Sequence, residues 1–266
     1  MNNFISCVLA LHLGVHSAFE WKEELINSPT YTYPYCDLEE MMNREGKETI
    51  QVFSYGSLLD YDSARKTLSP KTMITGQKAV AMGVRRVFDR DVPVDPTHDW
   101  GVPCDPNSRA MLNLHATGNP DDITNGVIYQ LRIEDIPAVR EREHGYDLKP
   151  ILVSTWENYM NGDKSEYFIA YTFHSPKESH FTHDNIYPRP GYYELTRDAA
   201  KERGPDFYQM WIESTYLSDE VTPISEWEKV VRSKNPRSLK YDARCLYPNK
   251  FKDRFRLRES SVMRRL

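Results

Sequence analysis

Short apolar blocks, punctuated by polar turns, run through the first two thirds of this chain. Val52, Phe53 and Tyr55 form an apolar run that breaks at Gly56-Ser57 and resumes with Leu58 and Leu59. The pattern predicts a strand over 51–56, a tight turn, and a helix over 59–68. Residues 79–88, AVAMGVRRVF, predict a further strand. Residues 109–116 and 125–133 predict a strand pair joined by a Gly-Asn-Pro-Asp turn. Glu134 and Asp135 suit the first turn of a helix over 134–144, where the helix dipole favours acids. Residues 149–156 and 166–173 alternate like strands around an Asn-Gly-Asp turn. Between the strands at 79–88 and 109–116, the Pro- and Asp-rich stretch 89–108 reads as a long surface loop, a kind that is often functional or mobile.

The pattern changes after residue 174. Helices are predicted over 192–204, ending at Gly204, over 206–217 with an aromatic face, and over 225–233. Strands and helices mix without regular βαβ alternation, so the fold class is α+β. The expected organisation is an N-terminal extension over 1–50, a domain over 51–220 and a helical, basic C-terminal extension over 221–266.

Composition narrows the function classes. A chain of 266 residues suits one large domain, and a net charge of −5 excludes a global basic field for nucleic acid. The apolar run 4–15, FISCVLALHLGV, is too short for a membrane span. It fits either a cleaved secretory signal within 1–18 or an apolar helix packed on the domain. Cys7, Cys36, Cys104 and Cys245 form no CxxC pair, which excludes a zinc ribbon and makes a reducing, cytoplasmic compartment the default.

Three features could carry chemistry. The first is Tyr55-Gly56-Ser57-Leu58, between a strand and a helix. Backbone amides at a helix start favour an anion or developing oxyanion, and a structural turn fits the same residues. The second is RERE-HGYD over 140–147. Glu141 and Glu143 lie near a helix end, whose negative pole favours a carboxylate that holds a proton; the competing reading is a solvated charged end paired with Arg140 and Arg142. The two acids lie about 200° apart around a helix, so only one can face a given pocket. The third is His174, His180 and His183, whose spacing lacks a helical i, i+4 metal pair. The chain has no GxGxxG, GxxxxGK[ST], HExxH or GxSxG motif. A serine hydrolase acting through Ser57 would need a His within hydrogen-bond reach.

The order of these motifs resembles the γ-glutamylcyclotransferase-like superfamily, which includes γ-glutamylamine cyclotransferases and ChaC-type enzymes. The hallmark YGSL follows a strand at Tyr55 to Leu58. A "G-V-hydrophobic-Tyr" strand follows as Gly126-Val127-Ile128-Tyr129, then an Arg-Glu-x-x-Tyr pattern as Arg142-Glu143-His144-Gly145-Tyr146. The segment PGYYELTRDAAKERGPDFYQMWIESTYL resembles the C-terminal helices of some members. Val139-Arg140 stands where members often carry Leu-Asp.

The resemblance implies a small mixed β-barrel flanked by helices, and an intramolecular aminolysis. The α-amine of a γ-glutamyl group would attack its own γ-carbonyl, forming 5-oxoproline and releasing the amine. Glu143 would be the catalytic proton shuttle. The amides of Tyr55, Gly56, Ser57 and Leu58 would bind substrate, and Tyr146 would orient Glu143 or touch substrate. Arg85 or Arg86 would meet a carboxylate or form a surface ion pair. The substrate supplies the nucleophile, so the resemblance implies no metal and no cofactor. The implied partners are a small γ-glutamyl substrate, no nucleic acid and no membrane, with the chain a monomer or homodimer. The alternative is a non-catalytic member binding a small acidic ligand or partner in the same pocket.

Overall fold

The computed structural model describes residues 38–92, 105–163 and 166–234. The 1–18 segment, most of the 89–108 loop, the four cysteines and the final basic stretch lie outside the described residues. The chain folds as two units, each assembled from separate stretches of sequence. The first comprises residues up to Tyr55, Ala64–Arg85 and Leu114–Pro176; the second comprises Gly56–Ser63, Arg86–Asn113 and Lys177 onward.

The first unit is built on a closed barrel. Its strands are β1 (Thr49–Ser54), β2 (Gln77–Met82), β5 (Ile123–Arg132), β6 (Asp147–Thr155) and β7 (Phe168–His174). They run in the order β1-β5-β2-β6-β7, all adjacent pairs antiparallel except β7 with β1. Closure removes exposed strand edges. Strands β5 and β6 carry nearly unbroken buried runs rather than a half-exposed alternation, so both of their faces are covered. Gly126 of the "GVIY" stretch pairs with Ala79. A Cβ there would lie 2.5 Å from both Phe53 Cζ and the Ser54 carbonyl oxygen, so only glycine admits the Phe53 ring. Among the helices of this unit, α1 (Leu38–Glu45) buries Leu38 and Met42. Helix α3 (Pro70–Met73) follows the short α2 (Tyr61–Ala64) and is capped by the Ser69 hydroxyl. The buried carboxylate of Asp135 accepts from both the amide and the hydroxyl of Ser69.

The second sheet has the order β4-β3-β8, with β3 at Val84–Asp91, β4 at Ala110–Ala116 and β8 at Thr215–Leu217. Within the second unit, α6 (Pro190–Glu202) and α7 (Pro205–Glu213) bury Tyr193, Phe207 and Trp211. The Arg86 guanidinium lies 5.4 Å from the Trp211 ring centroid. Helix α8 (Ile224–Lys234) contributes Glu228, whose carboxylate meets Arg197 at 3.4 Å.

The α+β class and the closed barrel flanked by helices match the expectation. Several local expectations do not hold. Residues 79–88 are not one strand: β2 and β3 part at Gly83 and enter different sheets. The strands over 110–116 and 123–132 are not partners, because β4 borders β3 while β5 borders β1 and β2. The carbonyl of Asp122, in the intervening turn, instead accepts from the amides of Gly83 and Val84. Strands β6 and β7 do pair, but α5 (Trp156–Met160), capped by Thr155, stands between them in place of a tight turn. The helix expected over 59–68 is a 3₁₀ turn, Ser57–Leu59, followed by the single-turn α2. The helix expected over 206–217 stops at Glu213, where Thr215 bonds back to the Trp211 carbonyl and the chain becomes β8.

Candidate active site

Tyr55 leaves the barrel at the end of β1. Its ring is buried and its phenol donates to the Phe173 carbonyl at 2.6 Å. Phe173 lies on β7, which runs parallel to β1, so both strands finish at the same barrel end. Strand β6 begins there too, since Asp147 pairs with His174 and Leu148 with Phe173. Tyr146, the residue before β6, lays its ring against the Phe173 ring at 6.5 Å between centroids and 61°. The fold thus brings Tyr55 and Tyr146 together around Phe173, a residue the sequence pattern does not single out. Phe173 joins Tyr55 through a backbone carbonyl, which any amino acid supplies.

Glu143 caps α4 (Ile136–Arg142), three residues before Tyr146. Its amide donates to the Val139 carbonyl and its own carbonyl accepts from the Tyr146 amide. These two bonds tie the end of the helix to the start of β6 and fix where the carboxyl group emerges. The side chain is 13% exposed. Its Oε1 accepts from Arg142 Nε at 3.2 Å, and the same guanidinium donates to Thr67 Oγ1 at 3.0 Å. Glu141 is exposed. The structure therefore separates the two acids, Glu143 half-buried and Glu141 in solvent, as helix geometry requires.

Gly56, Ser57 and Leu58 belong to the second unit, whereas Tyr55, Glu143 and Tyr146 belong to the first. Gly56 leads into the 3₁₀ turn, in which Leu59 N–H bonds to the Gly56 carbonyl. Leu58 is buried and Ser57 is half-buried. A Cβ on Gly56 would sit 2.6 Å from the Tyr192 hydroxyl oxygen, on the first turn of α6. The group in contact with this glycine is thus a phenol of the protein itself. Tyr192 is buried, with its ring edge-on to Phe88 at 6.4 Å. It lies in the PGYY segment quoted for the resemblance, but its closeness to Gly56 has no local sequence signal.

The remaining candidates disperse. Arg85 pairs with Asp122 at 2.7 Å in the first unit, and Arg86 is buried in the second. His174 is buried at the end of β7; its Nδ1–H donates to the Leu114 carbonyl at 2.5 Å. Burial pushes its pKa down to about 3, with His115 and Lys149 adding to the effect. His183 is half-exposed, with Nε2 3.7 Å from Asp91. Among the described residues no cluster of His, Cys, Asp and Glu is arranged to hold a metal, and no helix is long and apolar enough to cross a membrane.

No protein-family model matches the chain, and no curated protein matches its sequence. Solved structures with a similar chain course include one titled gamma-glutamyl cyclotransferase. It is 14% identical, with 70% of this chain and 99% of that chain covered and a TM-score of 0.45. A yeast γ-glutamyl cyclotransferase specific to glutathione is 15% identical over 62% of this chain and 97% of its own, at a TM-score of 0.42. An uncharacterised protein from Homo sapiens is 15% identical over 61% of this chain and 86% of its own, at 0.43.

Proposed function

We propose that this protein is a γ-glutamyl cyclotransferase, which cyclises the γ-glutamyl group of a small amine, amino acid or peptide conjugate to 5-oxoproline and releases the amine. The observation that carries the reading is the junction of α4 with β6. The half-buried carboxylate of Glu143 emerges three residues before Tyr146, which packs on the Phe173 that also holds Tyr55. The YGSL, GVIY and REHGY stretches occur in the order that the resemblance requires.

The chemistry asks little of the protein beyond shape and one proton carrier. Folding the γ-glutamyl chain so that its amine lies on its own carbonyl can contribute up to roughly 7–11 kcal/mol. Glu143 takes a proton from the attacking amine as the C–N bond forms. It returns that proton to the leaving nitrogen as the old C–N bond breaks. Backbone amides would stabilise the transient oxyanion, a donor of this kind being worth about 3–4 kcal/mol of barrier.

A second reading is a non-catalytic member that binds an acidic ligand through the same residues. The Arg142–Glu143 pair favours it, since a guanidinium at 3.2 Å holds the carboxylate as an anion partner rather than a proton carrier. Incubating the purified protein with γ-glutamyl amines, amino acids and peptides, and measuring 5-oxoproline by mass spectrometry, separates the two. Release of 5-oxoproline supports the enzyme. Ligand-dependent thermal stabilisation without product supports the binding module.

A further inference from the structure

The guanidinium that pairs with Glu143 is held on its other side by a threonine hydroxyl. Arg142 Nη1 donates to Thr67 Oγ1 at 3.0 Å, while Arg142 Nε donates to Glu143 Oε1 at 3.2 Å. Thr67 is half-buried in the turn between α2 and α3, behind the exposed Arg65 and Lys66 and ahead of the buried Leu68. The amides of Thr67 and Leu68 both donate to the Ala64 carbonyl, which closes the turn. A hydroxyl that follows two cationic side chains on a surface turn offers the charge pattern that basic-directed protein kinases read.

Ser69, two residues on and followed by Pro70, looks equally available in the sequence. Its hydroxyl is committed differently. It donates to the buried Asp135 carboxylate at 2.9 Å and accepts from the Thr72 amide as the cap of α3. A phosphate there would undo the cap and face a buried like charge. At Thr67 the group facing the hydroxyl is a guanidinium, which favours a phosphate dianion. The charge opposite each hydroxyl thus separates two sites that the sequence does not.

We propose that Thr67 is a phosphorylation site that acts on Glu143 through Arg142; the effect on turnover rests on the cyclotransferase reading above. In the site of a protein kinase, Thr67 Oγ1 attacks the γ-phosphorus of ATP. The new O–P bond forms, the bond to the ADP oxygen breaks, and the hydroxyl proton passes to the kinase's base. The product carries a charge of about −1.5 to −2 near neutral pH and three acceptor oxygens. It competes with the single carboxylate of Glu143 for the same guanidinium. Glu143 then loses the partner that positions it and faces a like charge on that guanidinium. Substrate contacts made elsewhere persist, so the change falls on kcat rather than KM.

The test treats the full-length protein with ATP and a panel of basic-directed serine/threonine kinases, and maps the product by mass spectrometry. The expected result is phosphate on Thr67 and none on Ser69. In ³¹P NMR the second ionisation of this phosphate, ordinarily near pH 6, should have its midpoint roughly one unit lower in the folded protein than in urea or in Arg142→Met. Release of 5-oxoproline should show kcat down roughly tenfold with KM within about twofold, and Thr67→Val treated in the same way should show no such fall. Absence of phosphate from Thr67 overturns the proposal. So does a midpoint that unfolding leaves unchanged, or an unaltered kcat in active, fully phosphorylated protein. The midpoint is read whether or not 5-oxoproline forms, so an inactive protein would refute the cyclotransferase reading and leave this contact to be decided by the phosphate alone.

Discussion

The phenol of Tyr55 donates to the carbonyl of Phe173 at 2.6 Å, between residues 118 apart in the chain. This bond pins the residue that opens the YGSL stretch to the strand beside which Tyr146 packs. Tyr55→Phe leaves a buried carbonyl without that donor. The expected cost is about 1–2 kcal/mol in urea unfolding, together with a loss of turnover larger than this small instability explains. Unchanged stability and turnover would show that the bond neither braces the fold nor positions the site.

Gly56 and Tyr192 form a second close pair. Gly56→Ala places a methyl group 2.6 Å from the Tyr192 oxygen, and relaxing that contact is expected to destabilise the protein by about 1–3 kcal/mol. Tyr192→Phe removes the oxygen, leaving ring carbon Cζ at 3.9 Å, an ordinary contact. The double variant should therefore be more stable than the sum of the single changes. Simple additivity in a double-mutant cycle would refute the steric account.

Arg142 joins Glu143 to Thr67 and is expected to hold the carboxylate in position rather than to touch substrate. Arg142→Met should lower kcat roughly tenfold while KM stays within about twofold. A large rise in KM with unchanged kcat would instead make Arg142 a substrate-binding residue.

His174 gives the protein a pH-sensitive stability. Its folded pKa, about 3, lies below the ordinary value of 6.5, so the unfolded chain binds the proton more tightly. The native state therefore loses stability as pH falls from 6.5 toward 3. Between pH 7 and pH 4.5 the loss from this group is on the order of 2–3 kcal/mol. His174→Gln should flatten that part of the pH profile in urea titrations. An unchanged slope would mean that the ring is protonated in the folded state.

The barrel strands were legible because each is a short apolar block bounded by turn residues. Their partners were not. The blocks at 110–116 and 123–132 look like a hairpin, yet the intervening turn bonds to Gly83 and Val84, and the strands enter different sheets. Tyr216 and Leu217 continue the aromatic face of α7 in sequence, and their parallel pairing with Val87 and Phe88 overrides that local preference. At the candidate site, Tyr55, Glu143 and Tyr146 were singled out by motif order, and the fold brings Tyr55 and Tyr146 together around Phe173. Phe173 and Tyr192 were not singled out. The first acts through its backbone, and the second through a contact remote in sequence.

The central claim is that Glu143 carries the proton in a γ-glutamyl cyclisation. The most direct measurement is 5-oxoproline release by wild type, Glu143→Gln and Glu141→Gln on the best γ-glutamyl substrate, with folding checked by circular dichroism. The account predicts a fall of at least about 10³-fold for Glu143→Gln and near wild-type release for the exposed Glu141→Gln. Substantial release by a folded Glu143→Gln protein would contradict it.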